Sequence, residues 1–205
     1  FLFNQQNNSF SHYAYQPNSS NCLSNNYIYK LAEDNSGNIW IATKDGLNCF
    51  HPKTQDFVVY RNNPGNTNGL QTNWIRSVYK DHWGTIWIGT IGSGIARFNS
   101  INQHFFHYKN DPLNANSLIY NDVLSFAEDI YGNLWIGTEN GGVSVLNRLN
   151  EQFTTITNDP TDPQSLSRNS VYAFYQDNIG NPWAGTSDNG ANLFPVIVKQ
   201  LHTHT

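Results

Sequence analysis

Apolar and polar side chains alternate in short runs along this chain, and no stretch follows a helical period. Between positions 75 and 108 four such runs succeed one another: 75–80 (IRSVYK), 85–90 (TIWIGT), 95–99 (IARFN) and 104–108 (HFFHY). Turn-forming residues separate them at 81–84, 91–94 and 100–103, and a polar connection, KNDPLNANSLIYND, leads to the next run. The pattern predicts four antiparallel strands, here A to D, joined by tight turns. The unit then repeats. DNSGNIWIAT, DHWGTIWIGT, DIYGNLWIGT and DNIGNPWAGT place Trp40, Trp87, Trp135 and Trp183 at steps of 47, 48 and 48 residues. Pro17, Pro64, Pro112 and Pro160 keep the same step. So do Leu23, Leu70, Leu118 and Leu166, and Asn26, Asn73, Asn121 and Asn169.

Units of this length with four strands and no helix predict an all-β fold: a β-propeller segment of four-stranded antiparallel blades. A parallel β-helix fits less well, because its rungs are shorter and lack three tight hairpins. The expected boundaries are the end of a preceding blade and its connection at 1–26, blades at 27–73, 74–121 and 122–169, and an incomplete blade at 170–205. Phe3 and Phe10 stand seven apart, as do Phe50 and Phe57, and Phe194 to Leu201 opens the same spacing. The chain therefore reads as an excerpt of a longer array, which alone would expose strand edges and self-associate.

Most repeated residues have structural roles. The four tryptophans sit mid-blade, where a flat ring fills the wedge between neighbours. Asp34, Asp81, Asp129 and Asp177 cap the A–B turns, and Gly37, Gly84, Gly132 and Gly180 supply positive φ there. Ala42, Gly89, Gly137 and Gly185 leave room for a neighbouring blade. The fourth copy departs: Pro182 precedes Trp183, Ala184 replaces an isoleucine, and Gln176 stands where Glu33 and Glu128 do. Proline lacks a ladder donor, so Pro182 should open its strand or face an unpaired side.

Composition narrows the partners. A net charge of −4 gives no basic footprint for nucleic acid. No apolar run is long enough to span a bilayer. Cys22 and Cys49 occupy non-equivalent places in the repeat and read as isolated thiols. His104 and His107 have odd separation and so opposite faces, while His202 and His204 could share one; neither pair makes a metal set, and no cofactor is expected. The adjacent acids Glu33/Asp34 and Glu128/Asp129 point to opposite faces, which leaves no acid/base pair.

The pattern N-x-[IV]…D-x-x-G-N-[IL]-W-I-G-T…G-[GL]-[VIL], with N-D-P-x-[ND]-x-x-S-L upstream, resembles the two-component regulator propeller repeat. It is clearest at Asn121, Val123, Asp129, Gly132–Thr138, Gly142 and Val143, and at Asn110–Pro112, Ser117 and Leu118. The resemblance implies an extracytoplasmic, periplasmic sensor region of a bacterial inner-membrane receptor. Such regions often pair two seven-bladed propellers, followed by a β-sandwich, a membrane helix and a histidine kinase or diguanylate cyclase. It also implies a homodimer in the full receptor, and glycans as ligands. The DxxGxxW turn is similar to the Asp-box of sialidases, a structural turn even there. The arginine cluster that such an enzyme needs is not evident among Arg61, Arg76, Arg97, Arg148 and Arg168.

In a four-stranded meander the D–A and B–C connections share one face. Its irregular positions are where a ligand would be read. Trp74 stands where the other copies have Tyr27, Asp122 and Ser170, and Arg76 where they have Tyr29, Leu124 and Tyr172. An aromatic platform beside a guanidinium suits a sugar or an anion. The B–C turns add Lys44/Asp45, Glu139/Asn140 and Asp188/Asn189. The expected function is non-catalytic sensing of a small molecule or oligosaccharide. The alternatives are a protein-interaction scaffold and, third, a propeller lyase or glycosidase.

Overall fold

The computed structural model describes residues 2–195. Seventeen strands and, among the described residues, no helix make up the fold. A hairpin, β1 (Leu2–Asn4) and β2 (Ser9–Ser11), precedes the blades. The first blade is β3 (Ile28–Glu33), β4 (Ile39–Thr43), β5 (Gly46–His51) and β6 (Asp56–Tyr60). The second is β7 (Ile75–Lys80), β8 (Ile86–Thr90), β9 (Ile95–Asn99) and β10 (His104–Tyr108). The third is β11 (Val123–Glu128), β12 (Leu134–Thr138), β13 (Val143–Asn147) and β14 (Gln152–Ile156). The fourth has three described strands, β15 (Val171–Gln176), β16 (Pro182–Thr186) and β17 (Ala191–Leu193). Every pairing is antiparallel, and β3, β7, β11 and β15 neighbour one another in order, as the inner strands of a propeller do. Leu201, His202 and His204 lie outside the described residues.

The repeat explains the blade. In each A–B turn the aspartate accepts hydrogen bonds from turn N–H groups and from the indole six residues on. Trp40, Trp87, Trp135 and Trp183 Nε1 donate to Asp34, Asp81, Asp129 and Asp177 Oδ2 at 3.0, 2.8, 3.0 and 3.1 Å. Burial raises the Asp34 carboxyl, but its bonds from Asn38, Trp40 and Ser36 outweigh that and hold it below the usual carboxylate value. Each repeat asparagine closes the D–A connection. Asn26, Asn73, Asn121 and Asn169 Oδ1 accept from the backbone N of Tyr15, Asn62, Asn110 and Asn158, at 2.8, 2.7, 2.9 and 2.7 Å. Leu23, Leu70, Leu118 and Leu166 are buried beneath it. Pro182 opens β16, as its missing donor requires.

Blades pack through opposite faces. Trp40, Ala42, Leu47 and Cys49 of the first blade meet Ile75, Val78, Ile86, Ile88 and Phe105 of the second. A Cβ on Gly89 would run into Ser77 and Val123, and one on Gly137 into Ser125 and Val171, so a small residue is required at both. Trp40 and Trp87 are 3% and 2% exposed, whereas Trp183 is 38% exposed, so the buried ring expected there is not found. On the first blade, Leu23, Ile28, Leu31, Ile39, Ile41, Phe50 and Phe57 line an apolar groove of about 290 Å³. Their register mates in the second blade are packed against the first. Cys22 and Cys49 are buried free thiols, and burial pushes Cys49 up to about 12.

Candidate functional site

Each inner strand carries a β-bulge at its second residue. The register shifts between Ile28 and Lys30, Ile75 and Ser77, Val123 and Ser125, and Val171 and Ala173. Tyr29, Arg76, Leu124 and Tyr172 are thereby left out of the ladder. A bulge adds one residue and re-aims its side chain. All four of these residues line one cavity of about 330 Å³ between the inner strands. That is at the small end of the range, about 300–1,000 Å³, usual for small-molecule sites. The strands hold their spacing through Ser77 Oγ, which donates to the Val123 carbonyl, and Ser125 Oγ, which donates to that of Val171 (3.4 and 3.0 Å).

At the cavity's edge five of the residues expected from sequence come together. Trp74 Nε1 donates to Tyr29 Oη at 3.2 Å. The Arg76 guanidinium lies 4.9 Å from the Tyr29 ring centroid. Lys44 Nζ lies 5.5 Å from the Tyr27 centroid and 5.8 Å from that of Trp74. These are cation–π distances. Tyr27 and Trp74 are 68% and 42% exposed, so their ring faces are open to a ligand.

The other expected residues tie the B–C turns to the D–A connections beside them. Asp45 accepts from Arg61 Nε (3.3 Å) and Asn73 Nδ2 (3.0 Å). Asp122 accepts from the Gly92 N–H through its side chain and from the Glu139 N–H through its carbonyl. The Asn140 N–H donates to Ser170 Oγ, Asp188 accepts from Arg168, and Asn189 Nδ2 donates to the Ser167 carbonyl. None of them bonds to the aromatic–cation cluster.

Two participants escaped the sequence reading. Lys30 and Tyr172 line the same cavity. Lys30 breaks a column otherwise filled by Ser77, Ser125 and Ala173, a signal as plain as that of Arg76.

A second constellation lies on the opposite face, also unread. Arg148, in the C–D turn of the third blade, donates to Asp81 Oδ2 at 2.6 Å and Glu128 Oε1 at 2.7 Å. Its guanidinium packs 4.3 Å from the Trp83 centroid. The His82 N–H donates to Glu128 Oε2 at 2.9 Å. Asp81 also holds Trp87, so one guanidinium bolts the second blade to the third and engages both carboxylates. His107, half-buried, has Nε2 2.9 Å from the Gly69 carbonyl, and burial holds its pKa below the usual histidine value. Among the described residues no group of three His, Cys, Asp or Glu side chains could hold a metal. Among the same residues no helix is long and apolar enough to cross a membrane.

Comparison with known proteins agrees with the propeller fold. The family described as "Two component regulator propeller" matches residues 22–45, 69–92 and 117–140, so the chain carries repeats of that family. The fourth copy, with its Pro182 and Gln176, lies outside these matches. No curated protein matches the sequence. The extracellular domain of a hybrid two-component system from B. thetaiotaomicron superposes with a TM-score of 0.72 at 27% identity. The match covers 84% of this chain and 25% of that one, so this chain spans about a quarter of that domain. The extracellular domain of a one-component system from the same organism gives a TM-score of 0.50 at 21% identity over 87% of this chain and 28% of that one. Virginiamycin B lyase from Staphylococcus aureus gives 0.56 at 12% identity over 84% and 57%, a likeness of fold alone.

Proposed function

We propose, from the premise that this chain is built of two-component regulator propeller repeats, that it is the ligand-sensing part of a bacterial transmembrane receptor. It lies on the extracytoplasmic side and binds an oligosaccharide without turning it over. One observation carries this reading. Arg76 and Trp74, which break the repeat, converge with Tyr29 and Lys44 on the cavity between the inner strands and its edge. The residues that keep the repeat are spent on turns and blade packing. An open indole and phenol beside cations can stack on a sugar ring and orient its polar groups. The paired acids of the opposite face are engaged by Arg148, which leaves that constellation with a structural task.

Signalling then needs only differential affinity. A ligand that binds better to one arrangement of a receptor dimer shifts the population toward it and biases a kinase or cyclase across the membrane. The extracellular placement of the two B. thetaiotaomicron relatives supports the location.

Calorimetry against an oligosaccharide panel, with product analysis of every binder, tests the reading. Binding without product, abolished by Trp74→Ala in a protein of unchanged stability, is expected. Release of cleaved product would make the chain an enzyme. Binding that is indifferent to Trp74→Ala would move the site elsewhere. The scaffold reading draws on one observation, the apolar groove of the first blade. It requires a silent panel and a protein partner displaced by Leu31→Asp.

A further inference from the structure

The charge of the cavity says more about the ligand than its shape does. The chain as a whole is acidic, with a formal net charge of −4. Yet among the described residues the only charged ones lining the central cavity are Lys30 and Arg76, and no carboxylate lines it. Lys44 adds a third cation at the edge, over Tyr27 and Trp74.

Each of the three departs from the repeat. Lys30 replaces the small residue that in the second and third blades, as Ser77 and Ser125, bonds across to the next inner strand. Arg76 replaces a tyrosine or leucine at the bulge. Lys44 has Ile91, Glu139 and Ser187 as its counterparts.

Their partners are missing in the same place. Arg61, Arg97, Arg148 and Arg168 are each paired with an aspartate or glutamate. Among the described residues Lys30, Lys44 and Arg76 have no carboxylate within ion-pair distance. Aromatic rings lie beside the charges of Arg76 and Lys44. Two like charges in one concavity, with a third at its edge, repel one another and cost stability. The arrangement is relieved when an anion enters, and walls of low dielectric strengthen that attraction.

Resting on the sensing reading above, we infer that the ligand is an acidic oligosaccharide. Its carboxylate is held by Arg76 and Lys30, and its sugar ring lies on Trp74 and Tyr27 within reach of Lys44. A guanidinium presents two parallel donors to a carboxylate, which fixes orientation as well as charge.

The test titrates the purified chain with oligogalacturonates and oligoglucuronates, and with the carboxyl-reduced, neutral counterpart of each. Binding is read by calorimetry and by tryptophan fluorescence. Acidic members should bind and their reduced counterparts should not. Affinity for the acidic binder should fall about ten- to hundred-fold in Arg76→Gln. It should fall also in Lys30→Gln, and as salt rises from about 0.05 to about 0.5 M. Lys53→Gln, on the far side of the first blade, should leave it unchanged. Thermal melts of each variant separate lost binding from lost fold.

Equal or better binding of the neutral counterparts would overturn the charge inference and leave sensing intact. Acidic binding unaffected by Arg76→Gln and Lys30→Gln would likewise overturn it, because the charge would be read elsewhere. Silence from every acidic and neutral sugar would overturn the sensing reading itself, and this inference with it.

Discussion

At the scale of single residues, one aspartate performs several tasks that sequence shows only in part. Asp81 caps its turn, orients Trp87 and neutralises Arg148, all while 1% exposed. Its asparagine would keep the cap but leave Arg148 half-compensated in a buried place, so Asp81→Asn should cost about 3 kcal/mol in urea unfolding. Asp34→Asn, without an arginine, should cost less. The cap was legible from the four-fold Asp-x-x-Gly. The indole bond was present in the constant six-residue spacing and went unread. Arg148 was illegible, because it reaches Asp81 across 67 positions from a different blade. His107 sets a pH response. Burial depresses its pKa in the fold, so the unfolded chain takes up the proton first as pH falls. Stability from this group is complete above the ordinary histidine value of 6.5 and is lost on acidification below it. Chemical denaturation between about pH 8 and pH 5 should show that decline, and His107→Gln should flatten it.

At the scale of elements, the strands were read almost to the residue, with β8 beginning at Ile86 where 85 was expected. Alternation reports which side of a strand is buried, and these strands are buried on one or both sides by neighbouring blades. The bulges were hidden from the same logic. One extra residue per inner strand breaks the alternation only locally, and of Tyr29, Arg76, Leu124 and Tyr172 only the two tyrosines share a residue type. The close approach of blades is testable. Gly137→Ala places a methyl against Ser125 Oγ and the Val171 backbone and should destabilise by about 1–3 kcal/mol. Leu118→Ala, which empties a fully buried site beneath a D–A connection, should cost about 2–5 kcal/mol. An unchanged urea midpoint in either variant would mean that the blades adjust to each other more freely than their packing suggests.

At the scale of the whole molecule, periodicity and its exceptions divide the labour. Regular positions build interchangeable blades, and the irregular ones gather where the inner strands face a common cavity. The aromatic–cation cluster was half legible. Trp74 and Arg76 stood out against their columns, whereas Lys30 was overlooked, and the polar B–C residues other than Lys44 proved to bond to the neighbouring D–A connections. The two ends of the array carry the same packing code as its middle: an apolar groove on the first blade and a half-exposed Trp183 on the fourth. The purified chain should therefore associate in a concentration-dependent way in sedimentation velocity, and Leu31→Asp should weaken that association. The central claim is that recognition occupies the repeat-breaking cluster and nothing else. Amide and indole shift mapping of the isotope-labelled chain, at saturation with an acidic oligosaccharide, tests it most directly. The predicted result is a set of perturbations centred on the Trp74 indole, Tyr29, Lys30 and Arg76, with the indoles of Trp40, Trp87 and Trp135 unmoved. Perturbations centred instead on the regular A–B turns would contradict the account.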